Sequence, residues 1–347
     1  MNKFTPEELR ARVDPKNLNS PLHKVVGNED AVKVLSWILF DALSNDHHIC
    51  TQNLAFVGPS SAGKTMISRV FAEVLDVPHI EISPKAVSNA DDIIRTIFDV
   101  LTKNKIGIWK KDGIFILPSV VVLLDEAHAL SDAVIQALLK ATERSDGILV
   151  GNNASIDCRF VCWHFATTDL GKIFDAFITR FERVPLRLYT KEEIAQIIQK
   201  NSPELDKSIC LTIASYCNRI PREALAFTKL VRKCRNFESC SWNDAIVAVA
   251  RKKGIDEYGM TSQRLNILRA LGQRPMSINQ LCATAGCKED ELRRLVLPWL
   301  LESTPDQAPY IAVTNRHYIT KEGLVELDKR GIVHKGEAVL CSFDREE

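Results

Sequence analysis

None of the ten cysteines in this 347-residue chain belongs to a Cys-x-x-Cys pair. The nearest approach is Cys158-x-x-x-Cys162, on a strand-like run without a neighbouring His/Cys pair. Neither a zinc site nor a disulfide framework is supported, and the thiols read as small apolar residues. Net charge is equally scarce: Lys+Arg 45 against Asp+Glu 44 leaves +1. Contact with nucleic acid must therefore come from local patches and not from a global field. No apolar run approaches the ~20 residues that span a bilayer. The polar first residues show no signal-peptide h-region, so the expectation is a soluble, cytoplasmic chain with no membrane partner. Internal repeats and low-complexity tracts are missing too. The length suits two or three domains, each with its own core.

What the chain does have is Gly58-Pro59-Ser60-Ser61-Ala62-Gly63-Lys64-Thr65. It follows the apolar run Asn53–Val57 and precedes a helix-like run that opens at Met66. Strand, glycine-bracketed loop, lysine, hydroxyl and helix make a phosphate-binding loop in its proper context. Gly58 and Gly63 free backbone amides to close around an anion, and the helix N-terminus adds partial positive charge. Lys64 reaches the terminal phosphates and Thr65 offers its hydroxyl to magnesium. The implied ligands are a nucleoside triphosphate and Mg2+.

Up to about residue 188, near-continuous apolar strands alternate with helices, the pattern of a parallel sheet covered on both faces. Strands are expected at His79–Ser83, Val120–Leu124, Arg159–Phe165 and Val184–Tyr189, with helices over Ala90–Thr102 and Ala133–Thr142. From Thr190 onwards only helical periodicity remains, over Glu192–Lys200, Asp206–Cys217, Arg222–Cys234 and Asn243–Lys253. A third unit reads as helices Ser262–Leu271, Ser277–Ala285 and Glu289–Leu301, then a hairpin of Tyr310–Val313 and His317–Ile319. That is the order of a winged helix. The expected architecture is an α/β parallel-sheet domain (1–189), an all-α lid (190–255), a winged helix (256–331) and a tail without clear period (332–347).

The second chemical signal is Asp125-Glu126, closing the buried run Val120–Leu124. Ligands of open parallel sheets bind beyond the carboxyl ends of the strands, where the phosphate loop also lies. Asp125 is placed to hold magnesium, and Glu126 to polarise the attacking water. An acid-rich helix start is the plain alternative.

With these motifs the chain resembles an AAA+ ATPase, and within that class the RuvB family of Holliday-junction branch-migration motors. The family's Asp-Glu-x-His is matched by Asp125-Glu-Ala-His128. A DEAH-box helicase shares that tetrapeptide, but its two-lobed architecture does not fit the rest. Ala166-Thr167-Thr168 is similar to the polar sensor that positions the lytic water. Thr179-Arg180-Phe181 is similar to the element whose arginine reaches a neighbouring subunit's ATP, worth orders of magnitude in rate. Arg222, in Arg219-Ile-Pro-Arg-Glu223, matches the lid's second sensor, and Tyr189 an adenine-side contact that core packing explains almost as well. Leu297-Pro-Trp-Leu-Leu301 resembles the Glu-Pro-Tyr-Leu element of the family's winged helix. Arg293, Arg294 and Arg316 then offer phosphate contacts, the first two having a solvated helix face as their plain alternative.

The resemblance implies a homo-oligomeric ring, a hexamer, that hydrolyses ATP as a motor on branched or duplex DNA. An ATP-gated DNA-binding loader or switch without translocation is the second reading. Departures weigh against a RuvA-type partner and against the Holliday junction as substrate. The wing tip reads Val313-Thr-Asn-Arg-His317 where the family has Thr-Pro-Arg-Gly-Arg, and the hairpin that docks RuvA in the family is short here, Ile148–Ile156. Lys105–Pro118 has no counterpart, and Lys111-Asp-Gly113 within it is a hairpin signal. Loops at that point face the pore of AAA+ rings, so Trp109 with Lys105, Lys110 and Lys111 would meet DNA there. The alternative is a solvated hairpin whose tryptophan packs on the domain.

Overall fold

Strand and helix alternate along the first of two compact units, Met1–Arg187 and Leu188–Glu347. The computed structural model describes residues 5–44, 52–143, 146–217, 219–256, 258–301 and 308–335, with the side chains of Arg294, Leu295 and Pro298 outside that description. In chain order the first unit holds α1 (Pro6–Val13), α2 (Glu29–Ser44), β1 (Leu54–Val57), α3 (Lys64–Leu75), β2 (His79–Ile82), α4 (Ala90–Lys103), β3 (Trp109–Lys111) and β4 (Ile114–Ile116). It continues with β5 (Val120–Leu124), α5 (Asp132–Ala141), β6 (Ile148–Val150), β7 (Ser155–Asp157), β8 (Val161–Thr167), α6 (Asp175–Ile178) and β9 (Glu182–Pro185).

Five strands form a parallel sheet in the order β2-β5-β8-β1-β9. Period-two alternation divides its side chains between two cores. Val120, Val122 and Leu124 face α4 and α5 through Ile93, Ile97, Val134 and Leu138. Val121 and Leu123 face α2 and α3 through Leu35, Leu39, Ile67 and Phe71. Each fully buried Leu or Ile contributes about 1.5–3 kcal/mol, which is why both faces must be covered. Local chemistry sets the helix limits. Asn89 caps α4 by accepting from the Asp92 amide, Ser131 does the same for α5 with Val134, and α3 stops where Asp76 turns left-handed.

Three features depart from the sequence expectation. Helices α1 and α2 precede the sheet. Strand β9 starts at Glu182 and ends at Pro185, short of Tyr189, because chain beyond Arg187 belongs to the second unit. And the two hairpins merge: β4 pairs β7 in parallel, Phe115 opposite Ile156, giving a four-stranded sheet β3-β4-β7-β6. The turn between β3 and β4 has Asp112 at φ 51° and Gly113 at φ 83°, as a two-residue hairpin requires.

The second unit carries α7 (Lys191–Asn201), α8 (Lys207–Ser215), α9 (Pro221–Glu238) and α10 (Trp242–Lys252), packed around Ile194, Ile213, Phe227 and Ile246. A separate apolar cluster gathers α11 (Ser262–Leu271), α12 (Ile278–Ala285), α14 (Leu297–Leu301), the hairpin β10 (Ile311–Val313) and β11 (His317–Ile319), and α15 (Lys321–Asp328), while the short α13 (Glu289–Glu291) is exposed. This is the element order expected of a winged helix, with α15 added. A π-helical turn, Leu292–Val296, joins α13 to α14. It precedes Pro298, which has no amide to continue the α-helical ladder. Among the described residues, no helix is long and apolar enough to cross a membrane. The tail beyond 335 lies outside the described residues.

Candidate nucleotide site

Gly58 begins the loop where a side chain has no room. A Cβ there would lie 2.3 Å from the Leu186 carbonyl oxygen, and the Gly58 amide donates to Thr167 O at 3.2 Å. The loop is thus wedged between the ends of β9 and β8. Gly63, at φ 92°, adopts the left-handed turn that launches α3, and Ser61 takes φ 64° despite its side chain. Lys64 is 5% exposed, and its Nζ donates to the carbonyls of Gly58 (2.9 Å) and Pro59 (2.8 Å). Phosphate oxygens arriving at the loop would replace those neutral acceptors with anionic ones, adding charge–charge attraction to the bonds of the Lys64 ammonium. Ala62 is buried, Ser60 and Met66 are exposed, and the α3 N-terminus supplies its partial charge beside them.

From β5, two carboxylates enter this region. Thr65 Oγ1 stands 3.4 Å from Asp125 Oδ2, and Asp125 Oδ1 accepts the Glu126 amide at 3.2 Å. Facing hydroxyl and carboxylate oxygens suit a hard divalent cation that keeps several waters, so Thr65 and Asp125 are the residues that would hold Mg2+. Glu126 occupies the left-handed region (φ 52°, ψ 49°), rare for a residue with a side chain and typical of functional strain. The Thr168 hydroxyl donates to Glu126 Oε2 at 3.4 Å. Thr167, fully buried at the end of β8, accepts from the Asp169 amide at 3.0 Å. Phosphate loop, Asp125, Glu126, Thr167 and Thr168 therefore meet at one end of one sheet.

Along this chain, the residues 54–188 match the AAA family, described as the ATPase family associated with various cellular activities. Campylobacter concisus Holliday junction branch migration complex subunit RuvB is 27% identical over 272 residues, 73% of this chain and 75% of the relative. Its Thermotoga maritima counterpart is 26% identical over 326 residues, 89% of each. Residues 54–188 thus carry the AAA ATPase match, and the chain is similar to RuvB over most of its length. Solved structures agree on the fold. The Thermotoga maritima RuvB Holliday junction branch migration motor superposes with a TM-score of 0.66 at 22% identity, covering 87% of this chain and 95% of that one. A point mutant of the same motor gives 0.68 at 23%, covering 88% and 96%. ATP with Mg2+ is the nucleotide and ion of this class.

Arg180, half-buried just before β9, donates to the Ala176 carbonyl and sits 3.6 Å from Glu143 Oε1, while its Nε has no partner among the described residues. Arg222 is exposed at the start of α9 in the second unit. Tyr189 is buried there, in the cluster with Ile194 and Phe227, as the core-packing alternative required. Arg293 pairs with Glu289 at 2.7 Å on an exposed helix face, the plain alternative for that residue. Arg294, on the same turn, has its side chain outside the described residues. Arg316 is exposed at the β10–β11 turn. Trp109 is 59% exposed; Lys110 Nζ lies 4.8 Å from the Phe115 ring centroid, and Lys111 is open to solvent.

Sequence reasoning passed over Asp91 and Arg264. The Asp91 carboxylate accepts the amides of Asn152 and Asn153, each at 3.0 Å, and the Asn152 side chain at 3.1 Å, pinning the β6–β7 turn to the start of α4. The Asn152 amide, then that of Asn153, holds it below the usual carboxylate range. No local motif announces such a pair, separated by 61 positions. Arg264, 5% exposed, lies 4.5 Å over the Trp299 ring, which stacks on Tyr310 at 5.0 Å. That stack shows what the tryptophan of the Leu-Pro-Trp-Leu-Leu element does: it covers a buried guanidinium.

Proposed function

We propose that this protein is a ring-forming motor that couples ATP hydrolysis to movement on, or remodelling of, branched or duplex DNA. The observation that carries the reading is the convergence of Lys64, the Thr65–Asp125 pair, Glu126 and Thr168 at the carboxyl ends of β1, β5 and β8. Lys64 neutralises phosphate charge, Thr65 and Asp125 would hold Mg2+, and Glu126 takes a proton from the attacking water while Thr168 orients it; Thr167, buried and bonded to Asp169, fixes the end of β8. Arg180 acts on a neighbouring subunit's nucleotide after giving up Glu143, in a hexameric ring. The resemblance assigns Arg222, exposed at the start of α9, to the γ-phosphate, while Tyr189 serves the packing of the second unit.

Support for DNA comes from the names of the relatives and from the surface. Exposed Trp109, Lys110 and Lys111 on one hairpin combine a stacking face with cations, and Arg316 projects at the wing. Arg293, already paired, contributes least, and Arg294 shares its helix.

The test is ATPase activity with no DNA, linear duplex, fork and four-way junction, read alongside strand or junction displacement. Stimulation by DNA with displacement is expected. Hydrolysis that DNA leaves unchanged, and that only a protein raises, would instead establish the ATP-gated switch.

A further inference from the structure

His128 touches both halves of the hydrolytic cluster. It lies in the 3₁₀ turn Ala127–Ala129, two residues beyond Glu126, and that short turn brings its ring back towards the strand ends. Its Nδ1 is 3.1 Å from Thr167 Oγ1 and 3.3 Å from Glu126 Oε2. The hydrogen inventory decides which way these contacts run. Thr167 directs its one hydroxyl proton to Asp169 O at 3.1 Å and accepts the Asp169 amide, so towards His128 it presents a lone pair. An ionised Glu126 carboxylate is an acceptor only. Both neighbours of Nδ1 being acceptors, the ring proton belongs on Nδ1; it makes the hydrogen bond to Thr167 Oγ1, with Glu126 Oε2 beside it at 3.3 Å.

We propose that His128 is a positioning residue for the hydrolysis step, aligning the Glu126 carboxylate with the sensor threonines through its Nδ1–H. The proposal rests on the ATPase reading above. Glutamate needs such a partner here. Its backbone is held in a left-handed conformation, yet its side chain has three rotatable bonds, and among the described residues its other hydrogen-bond partner is Thr168 at 3.4 Å. A general base acts well only within hydrogen-bond reach of its proton in the right orientation. The His128 link ties the carboxylate at the end of β5 to the hydroxyl at the end of β8, strands already paired at Leu124 and Phe165. It touches neither the phosphate loop nor Lys64, so it bears on turnover and not on nucleotide affinity.

The experiment compares kcat, KM and the dissociation constant of a fluorescent ATP analogue for wild type, His128→Ala, His128→Asn, His128→Gln and Glu126→Gln. Asn places its amide nitrogen near the position of Nδ1, whereas Gln places it near Nε2. Expected for His128→Ala is a kcat reduced about tenfold, with KM and analogue affinity unchanged, the latter showing a folded site. His128→Asn should recover most of that loss and His128→Gln should not. In the Glu126→Gln background, His128→Ala should add nothing, because its effect passes through the carboxylate. A His128→Ala enzyme with wild-type kcat, equal loss in the Asn and Gln variants, or a defect confined to affinity would each overturn the proposal. A wild type that fails to hydrolyse ATP at all would instead overturn the ATPase reading.

Discussion

Lys64 and Glu126 stand at the same end of the sheet but act on different atoms, so their variants should part company. Lys64→Ala removes the cation that compensates phosphate charge, and nucleotide binding should be lost in a fluorescent-analogue titration. Glu126→Gln keeps the loop intact; it should bind ATP normally and turn over about 10²–10⁴-fold more slowly. Wild-type turnover by that variant would remove the water-activating role. Beneath the loop, Ser68 bonds His79 Nε2 (2.9 Å) and His164 Nδ1 (2.8 Å). Burial lowers His79 from 6.5 to about 4, helped by the Arg69 charge, and burial lowers His164 from 6.5 to about 3, helped by His79. Both are neutral in the fold, so the unfolded chain binds more protons between those values and 6.5. Their contribution is complete above pH 6.5 and declines as pH falls below it, at up to about 1.4 kcal/mol per pH unit for the fully buried His164. Denaturant midpoints should therefore fall from about pH 7 towards pH 5. A His79→Gln, His164→Gln double variant should lose most of that slope, and a slope that persists would place the titrating groups elsewhere.

At the scale of elements, the β3–β4 hairpin shows how far local signals reach. Lys111-Asp-Gly113 announced the turn, and the turn is there, because a two-residue loop needs positive φ at both positions and Asp112 and Gly113 tolerate it. Its merger with the β6–β7 hairpin was not legible: the pairing of Phe115 with Ile156 spans chain that no short-range pattern connects. The hairpin leaves Trp109 and both lysines open. Replacing Lys110 and Lys111 by Ala should weaken DNA binding and flatten the log–log salt dependence by about 1.8, the value for two phosphate contacts on duplex DNA. ATP hydrolysis without DNA should survive. An unchanged salt slope would leave this hairpin a structural element alone.

For the molecule as a whole, Arg180 poses the question of assembly. In the single chain it is held by Ala176 and Glu143, at a position the ring reading assigns to a neighbour's nucleotide. Arg180→Ala and Lys64→Ala proteins should each be inactive. Mixed, they should regain partial ATPase activity, since some interfaces then unite an intact phosphate loop with an intact arginine. Full activity of Arg180→Ala alone would show that no arginine is supplied in this way.

Composition, apolar periodicity and the loop from Gly58 to Thr65 were enough to determine a parallel-sheet nucleotide domain followed by a helical region. Those properties are written in contiguous residues, where backbone geometry repeats every two or 3.6 positions. The same holds for Asp125 and Glu126, which close an unmistakable buried strand. Only the tertiary structure decided that Gly58 must be glycine, since the obstructing atom belongs to Leu186. It also decided that Asp91 anchors Asn152 and Asn153, and that His128 reaches Thr167. These contacts join residues up to 128 positions apart, and their identity depends on which strand ends the sheet order β2-β5-β8-β1-β9 brings together.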